Sequence, residues 1–144
     1  ILADARIPCE LSPHMGEALW KKLAWNAPFC ALACLLRMTV GEILASPGLD
    51  GLVRACIEEV REAAAGRGVA LPASTAQDLI TVSAALRDVK PSMLHDLEAG
   101  KPLEHEALNG VVVRALQQVG RRAPVNELLY ASLARLDQEL RARR

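Results

Sequence analysis

Lys22 and Asn26 stand four residues apart in Lys21-Lys22-Leu23-Ala24-Trp25-Asn26, and Cys30 follows four residues later. On a helix that spacing sets an ammonium, an amide and a thiol on one stripe. An ammonium turned into a cleft has its pKa lowered by desolvation and becomes a ready proton donor. The plainer account is that Lys21 and Lys22 both reach water near a helix start, their stems lying along apolar surface. Two more polar residues suit either a site or a helix end. Ser92 follows Pro91 and can cap a helix. Glu104 precedes a helical pattern, where the dipole favours a carboxylate. Cys30 and Cys34 are four apart, but His14, His95 and His105 are scattered. Small buried hydrophobes therefore describe the two thiols better than metal ligands do, and no metal is expected. The sequence holds no Gly-x-Gly-x-x-Gly, P-loop, His-Glu-x-x-His or Gly-x-Ser-x-Gly run.

The elements that must position these groups read as helices. Leu49, Leu52, Val53, Cys56, Ile57, Val60 and Ala64 recur at helical spacing. So do Leu108, Val111, Val112, Ala115, Leu116 and Val119, and so do Val125, Leu128, Leu129, Leu133, Leu136 and Leu140. From Leu19 to Met38 the pattern is apolar nearly all round, as in the buried centre of a bundle. Pro28 lies inside it and predicts a kink. Six helices are expected, over 15–38, 48–66, 74–88, 92–99, 105–119 and 125–142. Ser46-Pro47 reads as an N-cap and first helical proline, and Ser74-Thr75-Ala76-Gln77 as a capping box. Gly66, Gly100 and Gly120 suit left-handed positions after helices. Arg141, Arg143 and Arg144 favour the final dipole.

Composition narrows the partners. The chain's 144 residues are one domain's worth, 51% hydrophobic and 24% charged, which suits a globular core. Lys+Arg and Asp+Glu are 17 each. A balanced chain has no bulk pull on phosphate backbones or anionic membranes, so neither nucleic acid nor membrane is an expected partner. Four cysteines are too sparse for a disulfide scaffold and suit a reducing, cytoplasmic setting. Ile1 opens the sequence without a signal-peptide pattern, so a piece of a longer protein is expected.

Several runs in order carry a resemblance. They are Leu19-Trp20-Lys21-Lys22-Leu23-Ala24-Trp25-Asn26, Thr39-Val40-Gly41-Glu42-Ile43-Leu44, Glu58-Glu59-Val60 with Arg67-Gly68-Val69, and Pro91-Ser92-Met93-Leu94-His95-Asp96-Leu97-Glu98-Ala99-Gly100. Glu104, Leu108-Asn109-Gly110 and Ala123-Pro124-Val125-Asn126 complete the set. Together they resemble the C-terminal domain of the ketopantoate reductase (2-dehydropantoate 2-reductase) family, from about His14 to about Gln138. The resemblance implies an all-α bundle similar to the C-terminal domain of 6-phosphogluconate dehydrogenase. Residues 13–144 would form this substrate-binding domain. Residues 1–12 would be the lead-in from a Rossmann domain that binds NADPH and is absent from the chain.

By the same resemblance, Lys22 would be the catalytic acid that stabilises charge on a ketone oxygen during hydride transfer. Asn26 and Ser92 would bind a small 2-oxo acid. Glu104 would orient the substrate hydroxyl near the nicotinamide ribose. The family often carries a second asparagine where this chain has Cys30, and a threonine where it has Leu103. Other readings are the helical domain of a different Rossmann-linked dehydrogenase, or a non-catalytic helical module that pairs as a homodimer. Without its partner domain the chain is expected to be inactive.

Overall fold

The computed structural model describes residues 14–142, so the expected lead-in, Arg143 and Arg144 lie outside it. Seven helices and no strand appear among the described residues. They are α1 (Met15–Leu36), α2 (Val40–Ala45), α3 (Leu49–Ala65), α4 (Thr75–Ser83), α5 (Ser92–Glu98), α6 (Asn109–Gln118) and α7 (Pro124–Ala142). The all-α expectation holds, with one helix more than the hydrophobic period disclosed.

α1 is the centre. Ala24 and every residue from Ala27 to Cys34 are buried, which is why this segment can lack a polar face. It packs against α3, α7 and α5, while α6 fits between α3 and α7. The helix runs unbroken past Pro28. It stops at Arg37, which takes a left-handed φ of 59°, a conformation that disfavours a non-glycine residue by about 1–2 kcal/mol. Thr39 then opens α2. Its hydroxyl accepts the Glu42 N–H at 3.3 Å, and the Glu42 carboxylate accepts the Thr39 N–H at 2.7 Å. This reciprocal cap explains a six-residue helix that periodicity alone does not reveal.

Several end signals resolve differently from their sequence reading. Ser46 closes α2 instead of opening α3: its hydroxyl donates to the Glu42 carbonyl at 2.7 Å. Gly48, at a φ of 83°, leads into α3. Ser74 bonds the Asp78 carboxylate at 2.8 Å, and Gln77 reaches Arg54 at 3.0 Å, so no capping box forms. α4 ends at Ser83 rather than near 88. The Ser83 hydroxyl donates to the Leu79 carbonyl and accepts the Trp25 indole N–H at 2.8 Å. The chain beyond is drawn onto α2, where Gly41 and Val40 donate to the carbonyls of Arg87 and Val89. Gly66 stays right-handed and Gly68 takes the positive φ instead, whereas Gly100 and Gly120 adopt the expected positive values. Pro91, not Ser92, is the residue before α5.

A buried polar network locks four helices. The Glu59 carboxylate on α3 accepts the backbone N–H groups of Val125 and Asn126 at 2.9 and 2.8 Å, capping α7. It also accepts the Asn126 side-chain amide at 2.7 Å. The Asn126 oxygen accepts the Asn109 amide at 2.9 Å, and Asn109 also donates to the Ala27 carbonyl at 3.1 Å. The network therefore ends on α1 beside Asn26.

Candidate active site

Lys22, Asn26 and Cys30 share a stripe of α1, as their spacing predicts. Burial grades along it: Lys22 is exposed, Asn26 half-buried and Cys30 buried. At 1.5 Å per residue, Lys22 lies about 12 Å along the axis from Cys30. The inner end of the stripe meets α5 and the segment before α6. Burial pushes the Cys30 thiol up to about 12; the Met93 backbone N–H facing it offsets part of that, and the nearby Glu104 carboxylate adds to it. Cys30 thus feels the backbone of Met93, the neighbour of Ser92, and the charge of Glu104. Lys22 and Asn26 make no hydrogen bond or ion pair with Ser92 or Glu104.

Among the described residues, the side chains of Lys22, Asn26, Ser92 and Glu104 engage no hydrogen-bond or ion-pair partner. Lys22, Ser92 and Glu104 are exposed. Lys22 and Asn26 on the stripe, with Ser92 and Glu104 on later elements, thus leave an ammonium, an amide, a hydroxyl and a carboxylate unpaired among the described residues. No group of three His, Cys, Asp or Glu side chains among the described residues could hold a metal ion. Cys30, Cys34 and Cys56 are free thiols and all buried, in keeping with the reading of Cys30 and Cys34 as small hydrophobes. No described helix is long and apolar enough to cross a membrane.

Glu104 lies outside any helix, five residues before the observed start of α6. It is held instead by what surrounds it. Leu103 and His105 are buried while Glu104 and Glu106 are exposed, so the backbone alternates inward and outward. The Leu103 N–H donates to the Asp137 carboxylate at 2.8 Å, and Arg141 donates to the other Asp137 oxygen at 2.7 Å. The His105 Nδ1 lies 3.2 Å from the Leu103 carbonyl, and its ring centroid is 5.6 Å from that of Tyr130. Glu106 accepts the Tyr130 hydroxyl at 2.5 Å and an Arg114 N–H at 2.7 Å. Glu104's own carbonyl accepts the N–H groups of Ala107 and Leu108, closing the turn.

Sequence reasoning missed Asp137. In the chain it reads as one half of an exposed Asp-Arg pair at i, i+4, yet the structure buries it to 3% exposure. The overlooked signal was its register: Leu129, Leu133 and Asp137 fall on one face of α7, so a carboxylate sits on the apolar stripe. Burial by itself raises its pKa, but the Leu103 N–H and the Arg141 guanidinium outweigh burial, and the carboxyl sits below its ordinary range.

Residues 14–137 match the family described as Ketopantoate reductase PanE/ApbA C terminal. The 2-dehydropantoate 2-reductase of Nostoc sp. is 32% identical over 133 residues, covering 92% of this chain and 42% of that protein. The crystal structure of 2-dehydropantoate 2-reductase from Methylococcus capsulatus is 34% identical with a TM-score of 0.81, covering 86% of this chain and 43% of the other. A PanE/ApbA family ketopantoate reductase from Ralstonia eutropha JMP134 superposes with a TM-score of 0.90 at 29% identity, over 96% of this chain and 47% of that one. The chain thus spans less than half the length of these relatives, and it belongs to the ketopantoate reductase family, matching that family's C-terminal part.

Proposed function

We propose that this chain is the substrate-binding part of a cytoplasmic NADPH-dependent 2-oxo acid reductase. It works together with a nucleotide-binding Rossmann domain, and the reaction is reduction of ketopantoate to pantoate. The observation that supports this best is a set of polar groups unengaged among the described residues: Lys22 and Asn26 on one stripe of α1, with Ser92 and Glu104 on later elements. A set that takes no part in holding the bundle is suited to holding something else.

Reduction of a ketone places negative charge on its oxygen as the carbonyl carbon accepts a hydride. The Lys22 ammonium stabilises that charge and transfers a proton to the oxygen, completing the alcohol. Asn26, one turn inward, donates its amide to the same region of the substrate. Ser92 donates its hydroxyl to the substrate carboxylate. Glu104 accepts from a substrate hydroxyl and, with no partner among the described residues, has the chemistry to accept from a nicotinamide ribose hydroxyl. The described residues are helical with no strand, so they lack the strand-to-helix glycine turn that holds a dinucleotide pyrophosphate. Of the cofactor's groups, only the ribose is assigned to this chain. When bound, NADPH supplies the hydride.

The test is Lys22→Ala in the full-length reductase, followed by NADPH consumption with ketopantoate. Turnover is expected to fall by about 10²–10⁴-fold with the helical content unchanged. Turnover near that of the unaltered enzyme would overturn the role. Residues 1–144 alone are expected neither to bind NADPH tightly nor to turn over. Cys30, which offers a weak donor where the family often has an amide, favours a second reading in which the substrate is another 2-oxo acid. A panel of 2-oxo acids on the full-length protein separates the two.

A further inference from the structure

The segment carrying Glu104 is pinned from α7, an element to which the proposed chemistry gives no part. Asp137 is the centre of that hold. Its carboxylate is buried among the apolar residues of α7 and has two well-formed bonds. One oxygen accepts the Leu103 backbone N–H at 2.8 Å, and the other accepts Arg141 at 2.7 Å. Leu103 precedes Glu104 directly, and the Leu103 side chain is buried at 5% exposure. Its amide plane is therefore fixed both by a charge-assisted hydrogen bond and by packing. His105, on the other side of Glu104, closes back on the Leu103 carbonyl at 3.2 Å. With the neighbours on both sides held inward, the Glu104 side chain is left facing outward, and its charge is felt by Cys30 on the α1 stripe.

We propose that Asp137 is a positioning residue for Glu104: through the Leu103 N–H it sets where the Glu104 carboxylate meets the substrate. This rests on the reading of Glu104 as a site residue. A carboxylate on an apolar helix face is a poor choice for stability alone, because its burial must be offset by dedicated partners. Here one oxygen is met by Arg141 on the same helix, and the partner of the other, across from α7, is the backbone next to Glu104.

The test is a cycle of Asp137→Ala and Glu104→Gln in the full-length reductase, assayed well below the melting temperature of each variant. Asp137→Ala is expected to lower kcat/KM by about tenfold or more, since displacement of an aligned group by an ångström can cost about 10²-fold. Asp137→Asn keeps an oxygen for the Leu103 N–H and is expected to recover most of that loss. In the Glu104→Gln background, Asp137→Ala is expected to change kcat/KM by less than about twofold, because positioning acts only through the group positioned. Hydrogen exchange read without turnover gives a second measure: the Leu103 amide is expected to lose protection in Asp137→Ala and to keep it in Asp137→Asn. Full additivity of the two substitutions, or an unchanged Leu103 amide in Asp137→Ala, would overturn the proposal. If Glu104→Gln alone leaves kcat/KM unchanged while Leu103 behaves as expected, it is the assignment of Glu104 that fails, and the positioning role falls with it.

Discussion

Replacing Asn126 by alanine tests whether the buried network, and not apolar packing alone, fastens α1, α3, α6 and α7 together. The substitution removes a 2.7 Å bond to the Glu59 carboxylate and a 3.3 Å bond to the Cys56 carbonyl. It also removes the 2.9 Å acceptor of the Asn109 amide. The Asn109 oxygen already lacks a partner among the described residues, so Asn109 would keep a single bond, to the Ala27 carbonyl. A hydrogen bond to a charged group contributes about 1.5–3 kcal/mol, and a buried donor left unpaired costs about 1–3 kcal/mol. The sum is about 2.5–6 kcal/mol, and water entering the emptied polar space brings it to about 3 kcal/mol. For a chain of this length, with unfolding entropy of about 300 cal/mol/K, that lowers the melting temperature by about 10 °C. Urea unfolding and a thermal scan, both followed by circular dichroism, measure it. Asn126→Asp is expected to be worse at neutral pH, because it sets a second carboxylate against Glu59. It should improve on acidification, when one of the two acids takes up a proton. A loss below about 1 kcal/mol in Asn126→Ala would refute the reasoning, since it would mean that packing carries the junction without these bonds.

Three further outcomes are expected. A Cβ at Gly41 would lie 2.6 Å from the Arg87 carbonyl oxygen and 2.8 Å from its Cα, both backbone atoms. Gly41→Ala should therefore destabilise by about 2–3 kcal/mol, while Gly51→Ala, in open space on α3, should stabilise by about 0.5–1 kcal/mol in the same melts. Asp137 has a folded pKa below its unfolded value of about 3.9, so its contribution to stability is complete above that pH and is lost as pH falls through the folded value; Asp137→Asn should flatten the acid limb of a stability-against-pH curve. Burial pushes the thiols of Cys30 and Cys34 up to about 12 and raises Cys56 as well. In a Cys9→Ser variant a disulfide reagent at mildly alkaline pH should therefore find no fast thiol in the folded chain and three after unfolding, and any fast native reaction would contradict their burial.

The long helices were legible because each carries a repeated apolar face, and α1 because it lacks a polar one. α2 was not, because six residues are too few to display a period; its mark is the Thr39–Glu42 reciprocal cap, which is local chemistry. The end of α4 was overrun because the pattern continues to Leu86. Trp25, fifty-eight residues away, takes the Ser83 hydroxyl and stops it. The alignment of Lys22, Asn26 and Cys30 followed from spacing alone. The hold on Leu103, next to Glu104, did not, because it comes from Asp137 on α7 across the bundle. A carboxylate and an arginine four apart usually describe a solvated helix face. Only the register of Asp137 with Leu129 and Leu133 distinguishes it.

The inner half of α1 is lined with Ala24, Ala27, Ala31 and Ala33, all wholly inaccessible to water. Side chains this short let neighbouring backbones come close and hold no spare rotamers, so sliding or rolling of the rod would cost close packing. Its outer end, with Lys22, inherits that rigidity like the tip of a clamped boom. Under the proposed function, any motion that admits substrate is expected to move this bundle as a whole rather than rearrange it within.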